Sequence, residues 1–359
     1  MHRDRGPDAP GEGGLRDQPL HPRLQDLRQR GRGRRRPRAP GVKARFWGTR
    51  GSIPVSVTAP QVRAKLIAAV AAARNLPLDA PGAVEAYVDS LGFDVAGTFG
   101  GHSSCVEVEA GGGEPVILDL GSGARPLAGD LLRRFGPGSP RTYHVFMSHL
   151  HWDHIMGFPF FSPVYIPGNR IVIHSCHAEV EHAFRRQQAA PSFPVDFGQL
   201  AATVEFDVME TDRDYAIAGL RVRAKKQLHA GDSYGWRLTD GSRTLVYSTD
   251  SEHKLDRPEE RMGFVEFFRD ADLVIFDAMY SLADAVSVKA DWGHSSNIVA
   301  VELCQLAKAR RLCLYHHEPA YDDAQIARVL ADTRRYEEIS RDGPPLAVDA
   351  AWDGLEITL

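Results

Sequence analysis

The sequence predicts an α/β layered fold, on three observations. Short apolar runs of strand length recur between residues 42 and 315. Helix-forming stretches are interspersed among them, the pattern of strands layered against helices. Several of the apolar runs stop at a His or Asp, which in layered folds lines polar groups along one rim.

The folded part is expected to begin at Val42, so that residues 42–359 form one domain behind an extension at 1–41. Residues 42–47 read as a strand that ends in the glycine-rich turn Gly48-Thr49-Arg50-Gly51-Ser52. Residues 61–70 are strongly helix-forming. Pro77 and Pro81 interrupt, and a second helix is expected at 83–90. Together they read as a helical insertion near residues 61–91, either capping a site or covering a sheet edge. After Gly100-Gly101 the pattern turns to strands. Residues 105–109 alternate as a half-buried strand should. The run 115–119 is apolar and closed by Gly121 and Gly123. Further strands are expected at 143–147, 171–173, 220–224, 236–238, 245–248, 273–276 and 312–315, with helices at 178–188, 296–309 and 323–336.

Hydrophobic residues make up 43% and charged residues 25%, an ordinary mix for a packed core. No run of eighteen apolar residues occurs, so no membrane span is expected. The start lacks the apolar stretch of a secretory signal. Cys105, Cys176, Cys304 and Cys313 form no C-x-x-C pair, which excludes a zinc knuckle or thioredoxin-type site and suits a reducing cytoplasm. The net charge of −4 conceals an asymmetry, because residues 1–41 hold eleven Arg against five Asp or Glu. This Arg/Gly/Pro-rich stretch reads as a disordered extension, with a nucleic-acid tail as the alternative. The acidic remainder argues against broad nonspecific nucleic-acid binding.

The chemistry gathers at strand ends. The run 145–148 leads to His149, 245–249 to Asp250, 273–276 to Asp277 and 312–315 to His316. The sharpest signal is His149-Leu150-His151-Trp152-Asp153-His154. In a tight loop, residues two apart can point the same way, so His149 and His151 can hold one ion. Asp153 and His154 can then turn toward a neighbouring ion. Imidazole nitrogen and carboxylate oxygen suit zinc, manganese or ferrous iron.

The stretch SHLHWDHIMGFPFFSPVYIPGN at 148–169 resembles the metal-binding motif of the metallo-β-lactamase fold superfamily, in its phosphodiesterase-like and ribonuclease Z-like branch. FWGTRGSIP at 46–54, GGHSSCVEV at 100–108, ILDLGSG at 117–123, LHAGDSYGWRL at 228–238, YSTD at 247–250, WGHSS at 292–296 and LYHHEP at 314–319 agree in order and spacing. The resemblance implies a four-layer αββα sandwich and two divalent metal ions, zinc first, with manganese or iron as alternatives. It implies His149, His151 and His229 as ligands of the first ion, Asp153, His154 and His316 of the second, and Asp250 as the carboxylate bridging both. Cysteine is absent around position 250, which argues against a β-lactamase.

Two divalent ions acidify a bridging water and clamp a phosphoryl oxygen, and the hydroxide attacks phosphorus in line. Asp153 is expected to orient that water or accept its proton. His294 resembles the family histidine that serves the leaving group, with Asp277 favoured over Asp291 to hold it. Of His316 and His317, adjacent and therefore oppositely directed, one is expected at the metal, and family position favours His316. His102 stands where related sequences carry asparagine. His174, His177 and His182 read as structural or exposed. Arg50 and Ser52 have two readings, a phosphate contact or a turn role.

The expected function is a phosphodiesterase acting on a small nucleotide or cyclic phosphate, cytoplasmic and homodimeric, without a membrane partner. The alternatives are a ribonuclease Z-like nuclease for transfer RNA precursors, or a thioester or lactone hydrolase of the same fold. Nucleic acid is the less favoured partner, because no long Gly/Pro-rich basic arm follows the metal motif. A noncatalytic metal-keeping protein is disfavoured by the complete ligand set.

Overall fold

The structure, a computed structural model, describes residues 41–254, 256–280 and 293–359. Residues 1–40 of the extension expected at 1–41, and Asp291, lie outside the described residues. In chain order, β1 (Lys43–Gly48), β2 (Cys105–Glu109), β3 (Val116–Leu118), β4 (Thr142–Phe146), β5 (Arg170–Ser175) and β6 (Thr203–Val208) build a first sheet. The second holds β7 (Asp214–Ile217), β8 (Leu220–Gln227), β9 (Ser233–Thr239), β10 (Thr244–Ser248), β11 (Leu273–Asp277), β12 (Arg311–Tyr315) and β13 (Ala347–Ala350). The chain then returns β14 (Glu356–Thr358) to the first sheet, whose order is β14-β1-β2-β3-β4-β5-β6.

The residue patterns explain which strands run parallel. β11, LVIFD, is buried at every position and lies parallel between β10 and β12. Strands covered on both faces have no reason to alternate. β8 is antiparallel to both neighbours and alternates, with Leu220, Val222 and Ala224 buried and Arg221 and Arg223 exposed. β3 to β6 form the other parallel set.

The helices are α1 (Ala59–Ala72), α2 (Ala83–Ser90), α3 (Phe93–Ala96), α4 (Ala124–Phe135), α5 (Trp152–Ile155), α6 (Val180–Gln187), α7 (Pro258–Phe268), α8 (Asn297–Leu306) and α9 (Asp323–Ser340). Three apolar clusters define four layers. Phe46, Phe146, Trp236, Tyr247 and Tyr315 pack between the sheets. Leu127 and Leu131 of α4 cover Val145 and Ile171 of the first sheet. Phe268 of α7, Leu303 of α8 and Ile326 of α9 cover Val274 and Leu312 of the second. This is the αββα sandwich that the resemblance implies.

Some elements escape the sequence pattern. α4 contains Pro126 and Gly129, both poor helix formers, yet Pro is tolerated in a first turn and the helix buries Leu127, Ala128 and Leu131. β6, TVEFDV, has no buried residue and exists through its pairing with β5. The helical insertion is present, but α1 and α2 bury nothing. It is tied down by Lys65 Nζ, 2.6 Å from Asp323 Oδ2 at the start of α9, and by Phe93, whose ring lies 5.0 Å from Phe99 and 5.2 Å from Trp352.

Candidate metal centre

The site forms where parallel strands end. Asp119 follows β3, Asp250 lies two residues beyond β10, and His316 follows β12. All three have left-handed backbone, with φ of 60°, 48° and 59°. For residues with a Cβ this conformation costs about 1–2 kcal/mol each. Such strain persists only where the surroundings fix it, and it gathers at functional sites.

Among the described residues the donors form five overlapping trios, two of which are the ligand sets that the resemblance implies and two of which include His294. His149, His151 and His229 bring ring nitrogens within 4.8 Å of one another, and so do the donor atoms of Asp153, His154 and His316. His229 Nε2 lies 3.2 Å from His151 Nδ1. In the second trio, His154 Nε2 is 3.2 Å from Asp153 Oδ2 and 3.4 Å from His316 Nε2. Asp250 faces both trios. Its Oδ2 is 3.2 Å from His154 Nε2, and its Oδ1 lies 3.3 Å from His316 Nε2, 3.7 Å from His149 Nε2 and 3.9 Å from His229 Nε2.

Divalent ions fit this donor set. Bonds of about 2.0–2.1 Å at tetrahedral angles place neighbouring donors about 3.3 Å apart, the spacing seen here. His149 Nε2 and Asp153 Oδ2 are buried without a hydrogen-bond partner. A buried polar atom left unsatisfied costs roughly 1–3 kcal/mol, which an ion would relieve.

The outward ring atoms are braced. His154 Nδ1 is 2.8 Å from Asp119 Oδ2. Asp119, fully buried, also accepts from Ser148 N and Oγ, both at 2.7 Å, and from the Tyr247 hydroxyl at 2.8 Å. His229 donates through Nδ1 to Gly293 O at 2.8 Å. Gly293 needs to be glycine: its φ is +84°, and a Cβ there would stand 2.6 Å from the same ring nitrogen. His294 Nδ1 bonds Asp277 Oδ2 at 2.8 Å, and Asp277 accepts in turn from Ser251 N at 3.1 Å and Met279 N at 3.2 Å. The His294 ring lies 5.1 Å from His229 and 5.2 Å from His316.

The electrostatics follow the geometry. Burial, then the neighbouring His154, push the His149 ring well below the usual histidine range, toward the neutral form that ligates. Burial opposes charge on His154, but Asp153, Asp250 and Asp119 outweigh it and hold that ring well above the usual range. Burial also opposes the Asp250 carboxylate, and His316, His154 and His149 overcome it, holding Asp250 well below. His294 is pushed up to about 9, because the Asp277 charge and hydrogen bond outweigh its burial.

All the residues singled out in the sequence at this rim come together: His149, His151, Asp153, His154, His229, Asp250, Asp277, His294 and His316. His317 turns away, its Nε2 bonded to Ala351 O at 2.8 Å, and burial lowers it to about 3. Arg50 has a structural role, since its buried guanidinium binds Gly100 O at 2.9 Å and Tyr321 O at 2.8 Å. The phosphate-contact reading of Arg50 is thereby replaced. His102 Nδ1 lies 3.1 Å from Ser122 Oγ. His174 is buried beside His144 and Asp207, His177 packs on Tyr234, and His182 is exposed. Asp119 is the site residue that the sequence reading did not assign. The signal was available: the run 116–118 stops at Asp119 by the same rule that marks His149 and Asp250.

Layers, rim and donor set together define the class. The family model described as "Beta-lactamase superfamily domain" matches residues 118–317, and the chain belongs to that family. Ribonuclease Z of Natronomonas pharaonis is 28% identical over 278 residues, 61% of this chain and 83% of that protein. The probable metallo-hydrolase YhfI of Bacillus subtilis is 25% identical over 240 residues, 62% of this chain and 85% of that one. Among solved structures, the metallo-β-lactamase fold protein YhfI from Bacillus subtilis superposes with a TM-score of 0.58 at 17% identity, covering 88% of this chain and 99% of its own. Yeast PDE1 gives 0.55 at 12% identity, covering 89% and 100%. These structural likenesses establish the fold. The chain is thus a metallo-hydrolase of this fold related to ribonuclease Z, in a fold that implies divalent metal ions.

Proposed function

We propose that this protein is a binuclear phosphodiesterase acting on a small nucleotide or cyclic phosphate. In this reading His149, His151 and His229 would hold one ion, Asp153, His154 and His316 the other, and Asp250 both. Zinc is the first choice, with manganese or iron as alternatives. Ions so placed polarise a phosphoryl oxygen and acidify water, the two things that hydrolysis of a phosphodiester needs. Asp153, beside His154 and His316, would orient the attacking water or accept its proton.

The observation that carries the reading is the Asp277–His294 pair. The 2.8 Å bond from His294 Nδ1 to Asp277 fixes the ring and leaves Nε2 as the free nitrogen beside the donor cluster. A histidine so held can protonate the leaving oxygen, which a departing alkoxide requires. A thioester hydrolase needs no such group, because a thiolate leaves unaided.

The test is a screen of zinc- or manganese-loaded protein against cyclic nucleotides, cyclic ribose phosphates, RNA, a thioester and a lactone. Turnover of a small phosphodiester is expected. Activity confined to the thioester or lactone overturns the reading. The second reading, a ribonuclease Z-like nuclease for transfer RNA precursors, is favoured by the 28% match to ribonuclease Z across 83% of that protein. Selective cleavage of precursor RNA, with small phosphodiesters untouched, would establish it.

The reading treats residues 42–359 as one hydrolase domain and 1–41 as an extension outside it, and it places the protein in the cytoplasm. Among the described residues no helix is long and apolar enough to cross a membrane. It includes a homodimer, for which the exposed Leu66, Ile67 and Val70 of α1 offer an apolar face. Sedimentation of the full chain measures that state directly.

A further inference from the structure

A cavity of about 640 Å³ has walls that begin in the metal-motif loop, although no donor residue itself lines it. Leu150 and Trp152, which alternate with His149, His151 and Asp153 along the chain, contribute to it. Consecutive Cα atoms are about 3.8 Å apart, so the wall starts one residue from the donors. Phe160 and Phe193 extend it, with their rings in edge contact at 5.7 Å. Trp152 is 62% exposed and Phe160 55% exposed. Folding leaves large aromatic surface in water at a concave site mainly where a ligand covers it.

The rim is polar. Arg186, near the end of α6, is exposed, and its guanidinium has no hydrogen-bond or ion-pair partner among the described residues; His182 stands one turn earlier. Flat aromatic walls with a free planar donor at the edge suit a flat, hydrogen-bonding heterocycle. An alkyl or acyl group would fill the walls but leave the polar rim unused. The volume falls within the roughly 300–1,000 Å³ of small-molecule sites.

We infer that this cavity is a nucleobase subsite: the base stacks on Trp152 and Phe160, Arg186 bonds its edge, and the attached phosphate faces the metal centre. The inference rests on the phosphodiesterase reading and deepens it, selecting base-bearing nucleotides over base-free cyclic ribose phosphates as the substrate class.

The experiment is binding, which needs no turnover. Zinc-loaded full-length protein is titrated with adenosine 5′-monophosphate and with ribose 5-phosphate, followed by tryptophan fluorescence and calorimetry. The nucleotide is expected to quench fluorescence and to bind at least about tenfold tighter than the sugar phosphate, as stacking on an aromatic ring provides. Trp152→Phe should remove the quench while keeping most of the affinity. Trp152→Ala should lose about tenfold or more in nucleotide affinity and leave ribose 5-phosphate binding unchanged. Trp152→Phe also guards against a variant that fails to fold. Equal affinity for the two ligands, or a quench that survives Trp152→Phe, overturns the subsite. Nucleotide binding at Trp152 in a protein that cleaves no phosphodiester would support the base subsite and remove the phosphodiesterase reading, so the two failures are distinguishable.

Discussion

The two donor trios of the centre are built differently. Asp153, His154 and His316 are all buried, whereas the other trio includes the exposed His151. The buried trio is braced by charge: His154 leans on the Asp119 carboxylate, itself held by Ser148 and Tyr247. The more exposed trio is braced by a neutral carbonyl, Gly293 O on His229. A charge-assisted bond is about twice as strong as a neutral one, and it also raises the basicity of the ring. The centre thus has a buried, charge-braced half and a more exposed half, both facing Asp250. A site of this form would be expected to bind its two ions with unequal affinity.

Asp250 is where the halves meet, so its removal should have the largest effect. Asp250→Ala is expected to lower both metal content and phosphodiester turnover, the latter by at least about 10³-fold, beyond the 10–100-fold typical of outer partners. Elemental analysis beside a turnover assay checks this, and loss of one ion alone would place Asp250 in a single half. Next comes His294, which belongs to neither half in this account. His294→Ala should reduce kcat by roughly 10²–10⁴-fold while the metal content stays at the wild-type value. A drop in metal content instead would make His294 a ligand.

Asp119 separates the halves. Asp119→Asn should weaken the ion of the buried trio by about 10–100-fold and leave the other in place, measured by titration with a chelator. The smallest change expected is at Gly293. Gly293→Ala puts a Cβ 2.6 Å from His229 Nδ1 at a φ of +84°. The strain of about 1–2 kcal/mol should loosen only the more exposed trio, by about tenfold. Equal weakening of both ions by either variant would erase the distinction between the halves.

Much of this arrangement was legible in the sequence, for a physical reason. Parallel strands such as β11 and β12 are buried on both faces and read as unbroken apolar runs, so the first His or Asp after each run marks the rim. That rule places Asp250, Asp277 and His316 without any structure. It applies equally to Asp119, whose role became visible only once Ser148, His154 and Tyr247 were seen around it. What the sequence could not convey is contact across the chain. Gly293 and His229 are 64 residues apart, and nothing local to either signals the other. α4 and β6 were hidden for a related reason. Pro126 and Gly129 obscure a helix that packing sustains, and the acidic β6 is a strand because β5 pairs with it.

In the proposed centre two ions share the Asp250 carboxylate. Anomalous diffraction from zinc-loaded crystals measures this directly. Two peaks per chain are expected, one within about 2.0–2.2 Å of ring nitrogens of His149, His151 and His229, the other equally close to Asp153, His154 and His316, with Asp250 reaching both. A single peak, or a second peak bound by His294 in place of Asp250, would contradict it.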